Sequence, residues 1–112
     1  MEDAQLDITF AALAHPVRRA ILDRLSKGNA TVNELADPFD MSLPAVSRHI
    51  KVLEQAGLIS RGQTAQFRPC QLEPQPLEAV ASWTGQYQKI WEKRFDHMDQ
   101  VLKQLGKAKN GE

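Results

Sequence analysis

The fold of this chain is decided by residues 42–59, which read SLPAVSRHIKVLEQAGLI. Ser42 belongs to the residue types that cap helix N-termini and Gly57 to those that end helices, so the stretch predicts one helix between two boundary signals. Pro44 falls in the first turn, where a proline is tolerated because the N–H groups there have no partner within the helix.

The predicted helix has two faces of opposite character. Its apolar positions are Ala45, Val46, Ile50, Val52 and Leu53. The other side carries Ser42, Leu43, Ser47, Arg48 and Lys51. Short hydroxyls beside long cations suit the major groove of DNA, where side chains of these types contact base edges and phosphates. We therefore predict a DNA-recognition helix whose chemistry is binding and not catalysis.

Two of the candidate contacts in this helix have more than one role open to them. Arg48 can pair with guanine O6 and N7 or with a phosphate. His49 lies nearer the flank of the helix, so a phosphate contact and a packing or capping role both stay open. The full set of candidate DNA contacts in this helix is Ser42, Leu43, Pro44, Ser47, Arg48, His49 and Lys51.

Length and charge limit the class of protein. The chain has 112 residues, the size of one small domain, and no net charge. The charge is unevenly spread, because residues 41–70 contain four cations and Glu54 as their one carboxylate. A local basic face of this kind allows DNA binding with few phosphate contacts.

Three features predict a cytoplasmic location. Cys70 is the one cysteine, so no internal disulfide can form and the chain fits a reducing compartment. The acidic N-terminus lacks the apolar core of a secretory signal. No apolar run of about 18 residues occurs, so we expect no membrane span.

Three shorter helices are predicted before the recognition helix. The first covers about residues 4–14, and the second covers residues 16–28 between a proline start and a glycine stop. The third opens at residues 31–34, which have the T-x-x-E pattern of a capping box. Either Arg18 or Arg19, early in the second helix, is expected to contact a phosphate or an intrachain carboxylate.

After Gly57 the pattern becomes that of a β-hairpin, with strands at residues 58–61 and 66–72. Pro69 favours an edge position for the second strand, because proline cannot donate to a ladder. A wing arginine can enter the minor groove. The wing side chains predicted to contact DNA are Arg61, Gln63, Thr64 and Arg68.

The last predicted helix covers about residues 77–105, followed by a flexible tail at residues 106–112. Apolar positions recur in steps of three and four, and about 29 residues give a length of roughly 43 Å. This exceeds what one small domain needs, so a partner helix is expected to cover the surplus apolar stripe. The stripe residues are Tyr87, Ile90, Trp91, Phe95, Met98 and Leu102.

The predicted fold class is mainly helical with a small β-hairpin, a winged helix-turn-helix in a single domain of residues 1–105. Residues 13–22, LAHPVRRAIL, resemble the opening signature of ArsR/SmtB-type bacterial transcriptional regulators. Residues 45–50, AVSRHI, followed by Leu53 and by AGLI at residues 56–59, resemble their recognition helix and its turn into the wing. The resemblance covers about residues 6–105.

The resemblance implies a homodimer that pairs through its first and last helices and represses transcription by occupying operator DNA. It thereby adds Leu6, Phe10 and Leu13 to the predicted dimer interface. The implied partners are double-stranded DNA, a second copy of the chain and an unidentified small-molecule effector, with no membrane.

Two metal-site patterns of the resembled family are not matched. Where one pattern places Cys-x-Cys after a Glu-Leu pair, this chain continues with residues 36–38, ADP. The last helix has Asp96, His97 and Asp99 but no second histidine about ten residues on. We therefore predict no metal and no cofactor.

Two other functions are kept as alternatives. Net neutrality favours a winged-helix interaction module that does not bind DNA, and the resemblance leaves room for a metal- or thiol-responsive sensor. An enzyme is not predicted, because the sequence has no Gly-rich phosphate loop, H-E-x-x-H or G-x-S-x-G motif.

Overall fold

The computed structural model describes residues 3–62 and 68–109, and the side chains as far as Gly106. The chain forms two compact units, Met1–Val80 and Ala81–Glu112. The first unit contains α1 (Asp3–Leu13), α2 (Pro16–Leu25), α3 (Val32–Ala36), α4 (Leu43–Gln55), β1 (Ile59–Arg61) and β2 (Cys70–Leu72). This order is that of a winged helix-turn-helix, so the predicted fold class is confirmed.

The helix starts follow from the capping residues. His15 caps α2, with its Nδ1 accepting from the Val17 N–H at 3.1 Å. The predicted capping box at α3 is confirmed, since Thr31 Oγ1 accepts from the Glu34 N–H and Glu34 Oε1 accepts from the Thr31 N–H. The hydrogen bonds from the Thr31 backbone and hydroxyl lower the pKa of Glu34, with a smaller contribution from Arg24.

Gly57 ends α4 in a Schellman motif. The Leu58 N–H donates to Leu53 O and the Gly57 N–H to Glu54 O, both at 3.0 Å. Gly57 has φ +77°, in the left-handed region that glycine enters at no steric cost. The motif turns the chain directly from α4 into β1, which fixes the base of the wing.

One apolar cluster holds the first unit together. It is centred on Ile21, Leu35 and Ile50, each no more than 2% exposed. The buried residues of the cluster are Ala12, Ile21, Leu22, Leu25, Ala30, Leu35, Val46, Ile50, Leu53, Ala56, Leu58, Ile59 and Cys70. All six of these helices and strands contribute to the list, so burial of apolar surface is what assembles them.

A residue before α3, Ala30, also pairs with the hairpin, which the local sequence pattern did not predict. β1 and β2 pair antiparallel, with Ile59 opposite Leu72. On its other side, β2 bridges Ala30, with Cys70 N donating to Ala30 O at 2.7 Å. β2 is an edge strand of the two-stranded sheet, as expected, and the isolated bridge adds one pairing on its open side. Pro69 is tolerated because it precedes the strand and only its carbonyl bonds, accepting from Gly62 N at 2.8 Å.

The C-terminal segment is two helices and not the single predicted one. α5 covers Gln75–Gly85 and α6 covers Gln88–Lys109. Between them the Tyr87 N–H donates to Thr84 O at 2.9 Å, a tighter turn than an α-helix makes. Thr84 and Gly85 are weak helix formers, which explains the interruption. The expected tail is also helical as far as Lys109, and residues 110–112 lie outside the described part.

Over the described residues, the structure contains no helix that combines the length and the apolar character of a membrane span.

Gly57→Ala should lower the free energy of unfolding by about 1–2 kcal/mol, because a Cβ disfavours left-handed backbone. The cost is conformational, since the added carbon would meet nothing nearer than Pro76 Cγ at 3.9 Å. Urea unfolding followed by circular dichroism measures this loss in the free energy of unfolding. Gly106→Ala is the control, a helical site where alanine is preferred to glycine. An unchanged midpoint for Gly57→Ala would contradict the assignment.

Cys70 should react with thiol reagents only when the first unit unfolds. The residue is fully buried, and burial raises the pKa of its thiol despite the opposing effects of Arg61 and Arg68. A protonated, inaccessible thiol is a poor nucleophile. Labelling rates across a urea series measure this, and rapid labelling of the native protein would revive the thiol-sensor alternative.

Candidate nucleic-acid interface

The two faces of α4 are separated by burial. Val46, Ile50 and Leu53 are 0–2% exposed and point into the core. The opposite face carries Ser47, Arg48 and Lys51, all exposed. The core packing of one side thus presents the predicted recognition residues together on the other.

These three exposed side chains have no partner in the part of the chain that the structure describes. Within residues 3–62 and 68–106, the side chains of Ser47, Arg48 and Lys51 form no hydrogen bond or ion pair with one another or with their surroundings. Arginine and lysine on a folded surface are available to a ligand when no carboxylate holds them. The face can therefore meet phosphates and base edges without first breaking an internal contact.

The start of α4 extends this face. Ser42 caps the helix, its Oγ accepting from the Ala45 N–H at 3.3 Å, and its hydroxyl proton stays available to another acceptor. Leu43 is 46% exposed and Pro44 is exposed beside it. A helix N-terminus favours anions, and an exposed apolar side chain can contact a thymine methyl group.

His49 lies apart from the exposed face. Its side chain is half-buried, with its ring centroid 4.3 Å from that of His15 and its Nδ1 3.2 Å from Arg18 Nη1. Burial, then His15, then Arg18 lower the pKa of His49. These contacts favour the packing role, in which His49 joins α4 to the start of α2, and a phosphate contact of His49 stays a prediction.

Arg18 and Arg19 bind backbone carbonyls and not carboxylates. Arg18 donates to Ala12 O at 2.6 Å and Ala11 O at 3.1 Å, and Arg19 donates to Leu13 O at 2.8 Å. These are carbonyls at the end of α1, which have no acceptor role within the helix. Of the two contacts expected from the sequence, a carboxylate contact of either arginine does not occur among the described residues, and a phosphate contact stays a prediction.

The two wing arginines form hydrogen bonds with backbone carbonyls across the hairpin. Arg61 donates through Nε and Nη2 to Arg68 O, and Arg68 donates through Nε to Gly62 O. Both guanidinium groups keep N–H donors that these bonds do not use. The predicted contacts Gln63 and Thr64 lie outside the described residues.

The predicted dimer residues of α6 are exposed. Ile90 is 55% exposed and Phe95 is 61% exposed. Trp91, Met98 and Leu102 are also more than half exposed, and Tyr87 is exposed just before the helix. On α1, Phe10 is 37% exposed, whereas Leu6 is half-buried and Leu13 packs against the core of its own unit.

The described residues include no group of three or more His, Cys, Asp or Glu side chains placed to hold a metal ion. The chemistry of the face is that of a binding surface, with cations, hydroxyls and an apolar contact.

Comparison with known proteins identifies the same architecture. Residues 13–61 match a family model described as a helix-turn-helix domain. The transcriptional repressor SdpR of Bacillus subtilis is 36% identical over 74 residues, which are 66% of this chain and 82% of that protein. The HTH-type transcriptional regulator Rv2034 of Mycobacterium tuberculosis is 43% identical over 74 residues, 66% of this chain and 69% of that protein.

A solved structure is similar over most of its length. The ArsR family transcriptional regulator RHA00566 is 49% identical, with a TM-score of 0.72, and the match covers 79% of this chain and 97% of that one. The chain belongs to the ArsR/SmtB family of winged helix-turn-helix transcriptional regulators, a class of DNA-binding proteins and not of enzymes.

Proposed function

We propose that this chain is a homodimeric repressor that binds a pseudo-palindromic operator through two copies of α4. The observation that carries the proposal is the exposed face of Ser47, Arg48 and Lys51, which forms no hydrogen bond or ion pair within the described residues and lies opposite the buried face of the same helix. The repressor role is supported by the name of the similar protein SdpR. A regulator of this kind acts in the cytoplasm, where bacterial DNA lies.

Arg48 is proposed to carry most of the sequence preference. Its guanidinium is exposed near the middle of α4, and bidentate pairing with guanine O6 and N7 is the commonest specific contact of an arginine in the major groove. Lys51, one turn later, is proposed to bind phosphate as a point charge. Arg61 and Arg68 at the wing are proposed to add backbone or minor-groove contacts.

The dimer is proposed to form through α6. The helix has 22 residues and so is about 33 Å long. Its apolar side chains, Ile90 and Phe95 among them, are more than half exposed in a single copy. A contiguous apolar stripe of this length is unfavourable in water and favours burial against a second copy. Phe10 of α1 is proposed to extend the interface.

Selection of bound sequences from a randomised DNA pool tests the proposal as a whole. Two recognition helices in successive major grooves would enrich an inverted repeat with half-site centres about 10–10.5 base pairs apart. Failure to enrich any sequence would overturn the proposal and favour the alternative of an interaction module without DNA binding.

Arg48→Ala should weaken binding to the enriched duplex by about 1–3 kcal/mol, because one bidentate base contact is lost. Fluorescence anisotropy at roughly 0.15 M salt measures the change. Lys27→Ala is the matched control, since it also removes one exposed cation, just after the end of α2, where Lys27 Nζ lies 3.6 Å from Asp23 Oδ2. Equal losses in the two variants would contradict a specific role for Arg48.

Phe95→Glu should convert the dimer to monomer, because pairing would bury an unpaired carboxylate. Sedimentation equilibrium measures the oligomeric state, and circular dichroism verifies that the helices persist. Gln100→Glu is the control, since it adds the same charge at another exposed position of α6. A folded dimer of the Phe95 variant would place the interface elsewhere.

A further inference from the structure

The junction between α1, α2 and α4 is organised around one guanidinium. Arg18 Nε donates to Ala12 O at 2.6 Å and Arg18 Nη2 to Ala11 O at 3.1 Å, which ties α2 to the end of α1. Arg18 Nη1 lies 3.2 Å from Nδ1 of His49 on α4. A single side chain therefore connects the end of α1 to the recognition helix.

The direction of the last hydrogen bond fixes the state of His49. Arginine has donors and no acceptor, and it stays charged at every ordinary pH, so His49 Nδ1 must be the acceptor. The ring is then neutral, with its proton on Nε2. Protonation of Nδ1 would remove the acceptor and place two cations side by side.

His15 also favours a neutral His49 ring. Its Nδ1 accepts from the Val17 N–H at 3.1 Å, and its ring centroid lies 4.3 Å from that of His49. The groups that act electrostatically on His49 among the described residues are His15, at the turn between α1 and α2, and Arg18 of α2. Both oppose a positive charge on His49, and neither is a carboxylate that would stabilise one.

We propose that the hydrogen bond between Arg18 and His49 is a positioning contact, which holds α4 in its DNA-binding orientation only while His49 is neutral. Apolar packing of α4 is non-directional, whereas this bond sets how the helix is turned about its axis. His49 immediately follows Arg48, so a loss of the bond displaces the residue proposed to read the base. The inference rests on the proposed function of α4.

The sign of the pH effect distinguishes this role from a phosphate contact. As noted above, the pKa of His49 is lowered below its ordinary value of about 6.5, so the bond is complete above that pH and is lost as pH falls through the lowered pKa. Operator binding should then weaken in acid. A histidine that touched phosphate would gain charge in acid and strengthen binding.

The first experiment measures anisotropy on the duplex enriched from the randomised pool and on a scrambled duplex, from about pH 7.5 to about pH 5.5. We expect the ratio of the two affinities to fall roughly five- to tenfold, the effect of one lost hydrogen bond of typical net strength. Binding to the scrambled duplex should not fall, since added positive charge favours DNA in general.

His49→Asn supplies the decisive variant. Asparagine places Oδ1 where Nδ1 stands, accepts from Arg18 and does not titrate, so affinity should be retained while the pH dependence of the ratio disappears. His15→Asn is the matched control, because asparagine caps helices well and leaves His49 in place. This variant should keep the pH dependence.

A second measurement, made without DNA, determines the tautomer of His49. Long-range ¹H–¹⁵N correlation spectra of the native protein should show His49 as the Nε2–H tautomer at neutral pH, with a pKa below the ordinary histidine value. A protonated Nδ1 at neutral pH, or a ratio that is constant or rises in acid, would overturn the inference. If no duplex is enriched, the proposed function fails first and the inference with it.

Discussion

The burial of one side of α4 is the constraint on which the rest of this structure depends. Val46, Ile50 and Leu53 are almost completely removed from water, and their position leaves Ser47, Arg48 and Lys51 on the opposite side. Because the helix repeats every 3.6 residues, the apolar periodicity that fills the core also sets which polar residues face outward. Folding and the proposed DNA recognition thus depend on the same thirteen-residue helix.

The neighbouring contacts limit how α4 can shift within that packing. Ser42 determines where the helix begins and Gly57 where it ends, so its register is defined at both ends. Arg18 meanwhile satisfies carbonyls of α1 and reaches His49, which couples α4 to the N-terminal helices. The orientation of the exposed face therefore follows from the caps of α4, from its buried side and from the contact of His49 with Arg18.

Local signals were enough to predict most of the first unit. The capping box at Thr31, the cap at Ser42 and the glycine at Gly57 each act within a few residues, so sequence pattern reveals them. The exposed face of α4 followed from the same periodicity. Whether its residues contact DNA stays a prediction.

Contacts between distant segments could not be predicted in this way. The bridge of Ala30 to Cys70 and the contact of His15 with His49 join residues far apart in sequence, and no local pattern encodes them. The break between α5 and α6 was missed for a different reason. The apolar stripe continues at Tyr87 and Ile90, and this periodicity outweighed the weak helix formers Thr84 and Gly85.

The most direct test of the central claim is DNA cleavage from a probe tethered to the exposed face of α4. Ser47→Cys would carry the probe, because the native Cys70 is fully buried and does not compete. On the enriched duplex, cleavage should centre on two positions about one helical turn apart. A probe on the control variant Lys27→Cys should not give cleavage at these two positions. The placement of α4 in the major groove would be contradicted if the bound Ser47→Cys protein cleaved the duplex diffusely.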